Sequence, residues 1–290
     1  SLTKAGTGTV TLTGTNTHTG GTSVTGGLLT FNDDAKLGDA TDAVTLAGGG
    51  LRYDAAMTQT RNIVTGTGGG TLNTNGFAVT QDGDISGTTG LTKTGTGTLT
   101  LSGNNTYAGA TTITAGTVTA AASNNLGTGA IGLAGGTFLY GAAFDTTRAL
   151  AMGTGGGTLN TNGFDVEVSG INTGTTLLTK AGAGELELSG ASTNTGGITI
   201  TGGSIRASAN NNFGASGTLT FNGANTALNY GASFDMTRAV VFTTAGVLHT
   251  NGFDSTLSGV VSGAGNVTKT GAGIPTLPNP ANTYPRTTTI

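Results

Sequence analysis

Residues 91–118 read LTKTGTGTLTLSGNNTYAGATTITAGTV, and most of that phrase alternates polar and apolar residues with a period of two, as in Thr98-Leu99-Thr100-Leu101. Such alternation predicts a half-buried strand with Leu99 and Leu101 facing inward and the threonines outward. Nearly the same words return at 2–24, 178–200 and 267–290. The starts Leu2, Leu91, Leu178 and Val267 are 89, 87 and 89 residues apart, a spacing that belongs to a repeat architecture. Three modules follow, 2–90, 91–177 and 178–266, with a partial repeat or cap at 267–290. The expected organisation is a single solenoid over 1–290.

Other landmarks keep the same register. TLNTNGF at 71–77 and 158–164 returns as LHTNGF at 248–253, and LYGAAFDTTRA at 139–149 returns as NYGASFDMTRA at 229–239. Within the modules, aliphatic residues fall at Val10, Leu29, Leu51 and Leu72, then Leu99, Val118, Leu139 and Leu159, then Leu186, Ile205, Leu228 and Leu248. Four strand phrases per module imply coils of roughly 22 residues, the size of one solenoid turn. A lone coil cannot cover its apolar face. Coils stacked at ~4.8 Å set Leu on Leu and pair every strand above and below, so the predicted fold is an all-β parallel β-helix of about 12 coils, roughly 60 Å long. The steps Asn75-Gly76, Asn162-Gly163 and Asn251-Gly252 supply the positive φ that its corners need.

Composition agrees with a repeat protein. The 290 residues include 55 glycines, only 9% charged residues and no cysteine, and glycine has no every-third-residue period with proline, which excludes collagen. A formal net charge of -3 with scattered Lys and Arg gives no basic stripe for nucleic acid. Without cysteine there is neither a disulfide nor a thiolate metal site. No apolar run reaches the ~20 residues of a spanning helix, and SLTKAGTG at the start has no signal core.

The phrase at 91–118, with its copies at 2–29 and, more loosely, at 178–205, resembles the autotransporter-associated β-strand repeat, or passenger-associated transport repeat, of secreted Gram-negative passenger domains. That resemblance implies a right-handed β-helix on the cell surface or secreted, exported through an outer-membrane β-barrel that this sequence does not contain. It implies a non-enzymatic shaft or stalk of an adhesin, serving adhesion or biofilm formation. Homotypic assembly into filaments or a surface layer, and a host or matrix glycan, are the partners that fit. A self-assembling extracellular filament or sheath subunit is the alternative reading, ahead of an ice-binding protein, suggested by the Thr-x-Thr arrays, and a polysaccharide lyase.

Candidate chemical groups are few. Glu185 and Glu187, at i and i+2, share one strand face and could serve as acid and base, but Thr9 and Thr11, or Thr98 and Thr100, hold their places elsewhere. Asp33, Asp34, Asp39 and Asp42, with Arg52 or Arg61, read as a surface loop, with weak calcium binding or lyase chemistry as alternatives in a spacing that matches no calcium-loop motif. His18 and His249 occupy positions of Tyr107 and of Asn73 and Asn160. No catalytic, metal or cofactor residue is assigned. The recurring positions read as structural: Asn75, Asn162 and Asn251 with Asn73 and Asn160, and Arg61, Arg148 and Arg238, stacked every four coils; and Lys4, Lys93, Lys180 and Lys269, expected as an exposed basic row along one corner. All four prolines, Pro275, Pro278, Pro280 and Pro285, lie in the last segment, which should form an edge or cap.

Overall fold

A computed structural model describes residues 1–284 and 288–289. Among these there is no α-helix, only strands of two to five residues and three short 3₁₀ turns, Asp34–Leu37, Ser123–Asn125 and Asn210–Phe213. Strands of this length are marginal alone. Strands inside each sheet therefore pair in parallel with the strand one coil before and one coil after, as Thr117–Ala120 does with Thr98–Leu101 and Thr137–Tyr140. The fold is a parallel β-solenoid.

The chain divides into two compact units, Ser1–Ala142 and Ala143–Ile290. In the first, three sheets form the faces, carrying for example Leu2–Lys4, Thr9–Thr11 and Met57–Gln59. Thr98 pairs with Thr117 and Thr22 with Val44, so one turn of the chain closes in a single solenoid repeat of the shortest class. Inward residues stack in columns: Leu29, Leu51 and Leu72 stand in register and are fully buried. Each such side chain contributes about 1.5–3 kcal/mol by leaving water. In the second unit Leu186, Ile205, Leu228 and Leu248 form the corresponding column. Leu139 departs from the expected pattern: Val118 pairs with Phe138, so Phe138 and Tyr140 take the inward places and Leu139 lies half-buried on the outer face.

The module does not equal a whole number of coils. In the first unit Leu2–Lys4 and Ile85–Gly87 occupy one sheet four coils apart, whereas the repeat's second opening strand, Leu91–Thr94, belongs to the next sheet. In the second unit the opening strand likewise moves from the sheet of Leu178–Ala181 to that of Val267–Thr270. A module of 87–89 residues is thus four coils plus one face. The solenoid has about 13 turns instead of the 12 expected, because its coils are on average shorter than the strand phrases suggest.

Corners explain the fixed glycines and asparagines. Asn75, Asn162 and Asn251 have φ of 47°, 54° and 51°, the left-handed region that Asn and Gly tolerate best. Asn73 and Asn160 Oδ1 accept from the backbone N–H of Asn75 and Asn162, each at 2.8 Å. A Cβ on Gly97, Gly184 or Gly273 would lie 2.0, 1.9 and 1.9 Å from the carbonyl oxygen of Phe77, Phe164 or Phe253 in the preceding coil. Corner backbones stack directly on one another there, so only glycine fits.

In the last segment, Pro275–Thr276 pairs with Ser255–Thr256 alone among the described residues, the edge position expected of a strand that carries proline. Pro278 and Pro280 are exposed. Pro285 lies outside the described residues.

Candidate functional site

The four repeat lysines do not form an exposed row. Lys93 stands in an aliphatic column between Leu72 and Ile113, and Lys180 between Leu159 and Ile200. Both are fully buried and Lys4 nearly so. The four-carbon stem packs as a hydrophobe while the ammonium reaches the corner. Lys93 Nζ donates to the carbonyls of Thr94, Gly95 and Ala115 at 2.8, 2.6 and 3.1 Å. Lys4 makes the same set with Ala5, Gly6 and Gly26. Lys180 bonds Ala181, Gly182 and Gly202, and adds Thr161 Oγ1 at 3.1 Å. Three ammonium donors thus meet three carbonyls of two successive corners. Lys269 is half-buried and donates to the Gly271 carbonyl. Burial pushes Lys93 and Lys180 down to about 8, the latter partly offset by Asp165. The alternation that should have placed lysine inside was legible, but its charge suggested solvent.

Arginine plays the same part at two of the three 3₁₀ turns. Arg61, with a fully buried side chain, binds Asp34 through Nε at 2.8 Å and an Nη at 2.9 Å, and donates to the carbonyls of Asp34, Leu37, Gly38, Asp39 and Asp42. Arg238 repeats this around Asn210–Phe213, reaching the carbonyls of Asn210, Phe213, Gly214, Ser216 and Gly217, with its guanidinium 5.3 Å from the Phe213 ring centroid. Burial pushes Arg238 down to about 10. Arg148 is half-buried, and its backbone N–H donates to Thr146 Oγ1. Within the second unit Arg148 and Arg238 precede strands of different sheets, as Asn162 and Asn251 follow strands of different sheets, so neither pair stacks at intervals of four coils.

Asn125 and Asn212 were missed by the sequence reading. Each Oδ1 accepts from two backbone N–H groups, Ala121 and Ala122 or Ser208 and Ala209, and each Nδ2 donates to two carbonyls, Ser102 and Gly103 or Ser189 and Gly190. The run of asparagines, two in SNN and three in NNN, is the signal the sequence offers.

The acidic stretch is engaged within the protein, by backbone N–H groups and by one arginine. Asp33 caps Ala35, Asp34 pairs with Arg61, Asp39 accepts from Thr41, and Asp42 accepts from Gly20 and Gly21. The Thr41 hydrogen bonds hold Asp39 below the usual carboxylate range. Among the described residues no group of three or more His, Asp or Glu is placed to hold a metal ion. Arg52 pairs instead with Asp54 at 3.3 Å. Glu185 and Glu187 do face outward. Glu185 accepts from Asn229 and, at 3.4 Å, from Ser204, while Glu187 lies 3.6 Å from Arg206. His18 Nε2 lies 3.0 Å from Thr22 Oγ1, and His249 Nδ1 has no partner.

Side chains that hold carbonyls at successive corners, repeated with the module, describe a scaffold. The family model of the passenger-associated-transport repeat matches residues 2–31, 91–120, 178–207 and 267–290. Over 234 residues, 68% of this chain, the sequence is 33% identical to the adhesin BmaC autotransporter of Brucella suis biovar 1 (strain 1330), of whose length the chain spans 7%. No solved structure matches. The chain thus carries four passenger-associated-transport repeats, the repeat of autotransporter passenger domains.

Proposed function

We propose that the chain is a non-enzymatic scaffold segment of an adhesin carried on the surface of a Gram-negative bacterium, where it supports adhesion or biofilm growth. The carrying observation is the similarity to an autotransporter adhesin across four repeats. The use of Lys4, Lys93, Lys180, Arg61 and Arg238 to hold the solenoid's own corners supports a structural role. Export would run through an outer-membrane translocator supplied elsewhere in the protein.

The test is surface display of this chain on a non-adherent Gram-negative strain, scored for attachment to epithelial cells and for biofilm mass. Attachment several-fold above a strain displaying an unrelated β-solenoid at equal density is expected. Equal attachment and equal biofilm mass would sink the proposal.

A further inference from the structure

Repeats fix a scaffold, so an outward position at which one module departs from the others marks chemistry that the scaffold does not need. In module three such departures converge. Glu185, Glu187, Arg206, Asn229 and His249 stand where module two has Thr98, Thr100, Thr119, Leu139 and Asn160. Glu187, Arg206, Asn229 and His249 form one outward column in successive coils. Beside it Glu185 stands in register with Ser204, and Ser204 with Ala227. Glu185, Arg206, Asn229, His249, Asn251 and Phe253 line an open groove of about 490 Å³. The inward positions of the same strands stay apolar and buried: Leu186, Ile205, Leu228 and Leu248.

We infer that this groove is a binding site for a neutral, hydroxyl-rich oligosaccharide, a reading that rests on the adhesive role proposed above. The volume falls in the range of small-ligand sites. Carboxylate, guanidinium, amide and imidazole groups along successive coils offer alternating acceptors and donors to hydroxyls. Phe253, 36% exposed at the rim, offers a flat apolar face to the C–H side of a sugar ring. Glu185 in the lining, with Glu187 3.6 Å from the single guanidinium of Arg206, gives a polyanion no net attraction. A peptide would want a free sheet edge for its backbone, and here it would meet the face of a fully paired sheet.

The test titrates the full chain with trimers of N-acetylglucosamine, galactose and mannose, and with a heparin hexasaccharide, followed by NMR. The chain has two histidines, and a His18→Asn variant assigns their ring signals. At least one neutral trimer should shift the His249 signal and leave His18 unmoved. A variant carrying module two's outward residues, Glu185→Thr, Arg206→Thr and Asn229→Leu, should keep its melting temperature and lose affinity at least tenfold, as should Phe253→Ala. No binding of any neutral trimer, binding of heparin alone, or undiminished binding by the reverted variant would overturn the inference. Displayed cells that still adhere while the purified chain binds none of the trimers would overturn the groove and leave the adhesive reading standing.

Discussion

A buried ammonium ion costs several kcal/mol to desolvate, and Lys93 offsets this by saturating its three donors on corner carbonyls. Lys93→Met keeps the stem's packing and strips that donor from the carbonyls of Gly95 and Ala115. It should lower stability by about 2 kcal/mol at pH 7, read from chemical denaturation; an unchanged midpoint would show that the ammonium does not hold the corner. The pH dependence follows from the same burial. Between about pH 8 and 10.5 the unfolded chain keeps protons on Lys93 and Lys180 that the fold has released, so stability rises with pH, by about 1–3 kcal/mol per lysine. Above about pH 10 the trend reverses, since Tyr53 and Tyr230, pushed up by burial, stay protonated in the fold while their unfolded counterparts ionise. A stability maximum near pH 10 is expected, with a shallower approach in Lys93→Met; a profile flat from pH 7.5 to 10 would contradict this account. The period-two pattern of LTK was enough to place this lysine inside, since it shares a face with Leu91. What sequence could not show was the acceptor set, because backbone carbonyls carry no residue signature.

At the level of elements, the 3₁₀ turns Asp34–Leu37 and Asn210–Phe213 each present several carbonyls at once, and one arginine gathers them. Its planar fork reaches five carbonyls around Asn210–Phe213, a set that a point charge cannot span. Arg238→Lys should therefore cost about 2–4 kcal/mol despite retaining the charge. Amide exchange in Asn210–Phe213 should accelerate more than in the neighbouring strand Leu219–Phe221; equal protection in the variant and the parent would refute the clamp. Asn-Gly corners were readable because left-handed backbone selects those residues locally. The arginine clamp was not, because its partners lie a full coil or more earlier in the chain, in an acidic turn in one module and an amide-rich one in another. Charge alone reads as a solvated loop at Asp34, where the structure places Arg61.

Over the whole molecule, the period of 87–89 residues was plain in the sequence while its phase was not. Four longer coils, or four and a third shorter ones, fill the same span, and only strand registers such as Leu91 on Thr111 distinguish them. Within each unit the extra third moves the second copy of the repeat onto the next face, so positions that recur in sequence do not line up there, whereas stacked contacts join different words of the phrase. Stability is therefore shared between nearest coils, as in other solenoids. Leu101, 1% exposed, stands in register between Gln81 and Ala120. Leu101→Asp would bury a carboxylate there without a partner and should cost about 3–5 kcal/mol. The loss should appear as faster amide exchange in both Val79–Gln81 and Thr117–Ala120, while Thr100→Asp, one residue away on the outer face, leaves both strands protected. Faster exchange in Leu101→Asp confined to its own strand, Thr98–Leu101, would mean that coils fold independently and that stacking does not carry the fold.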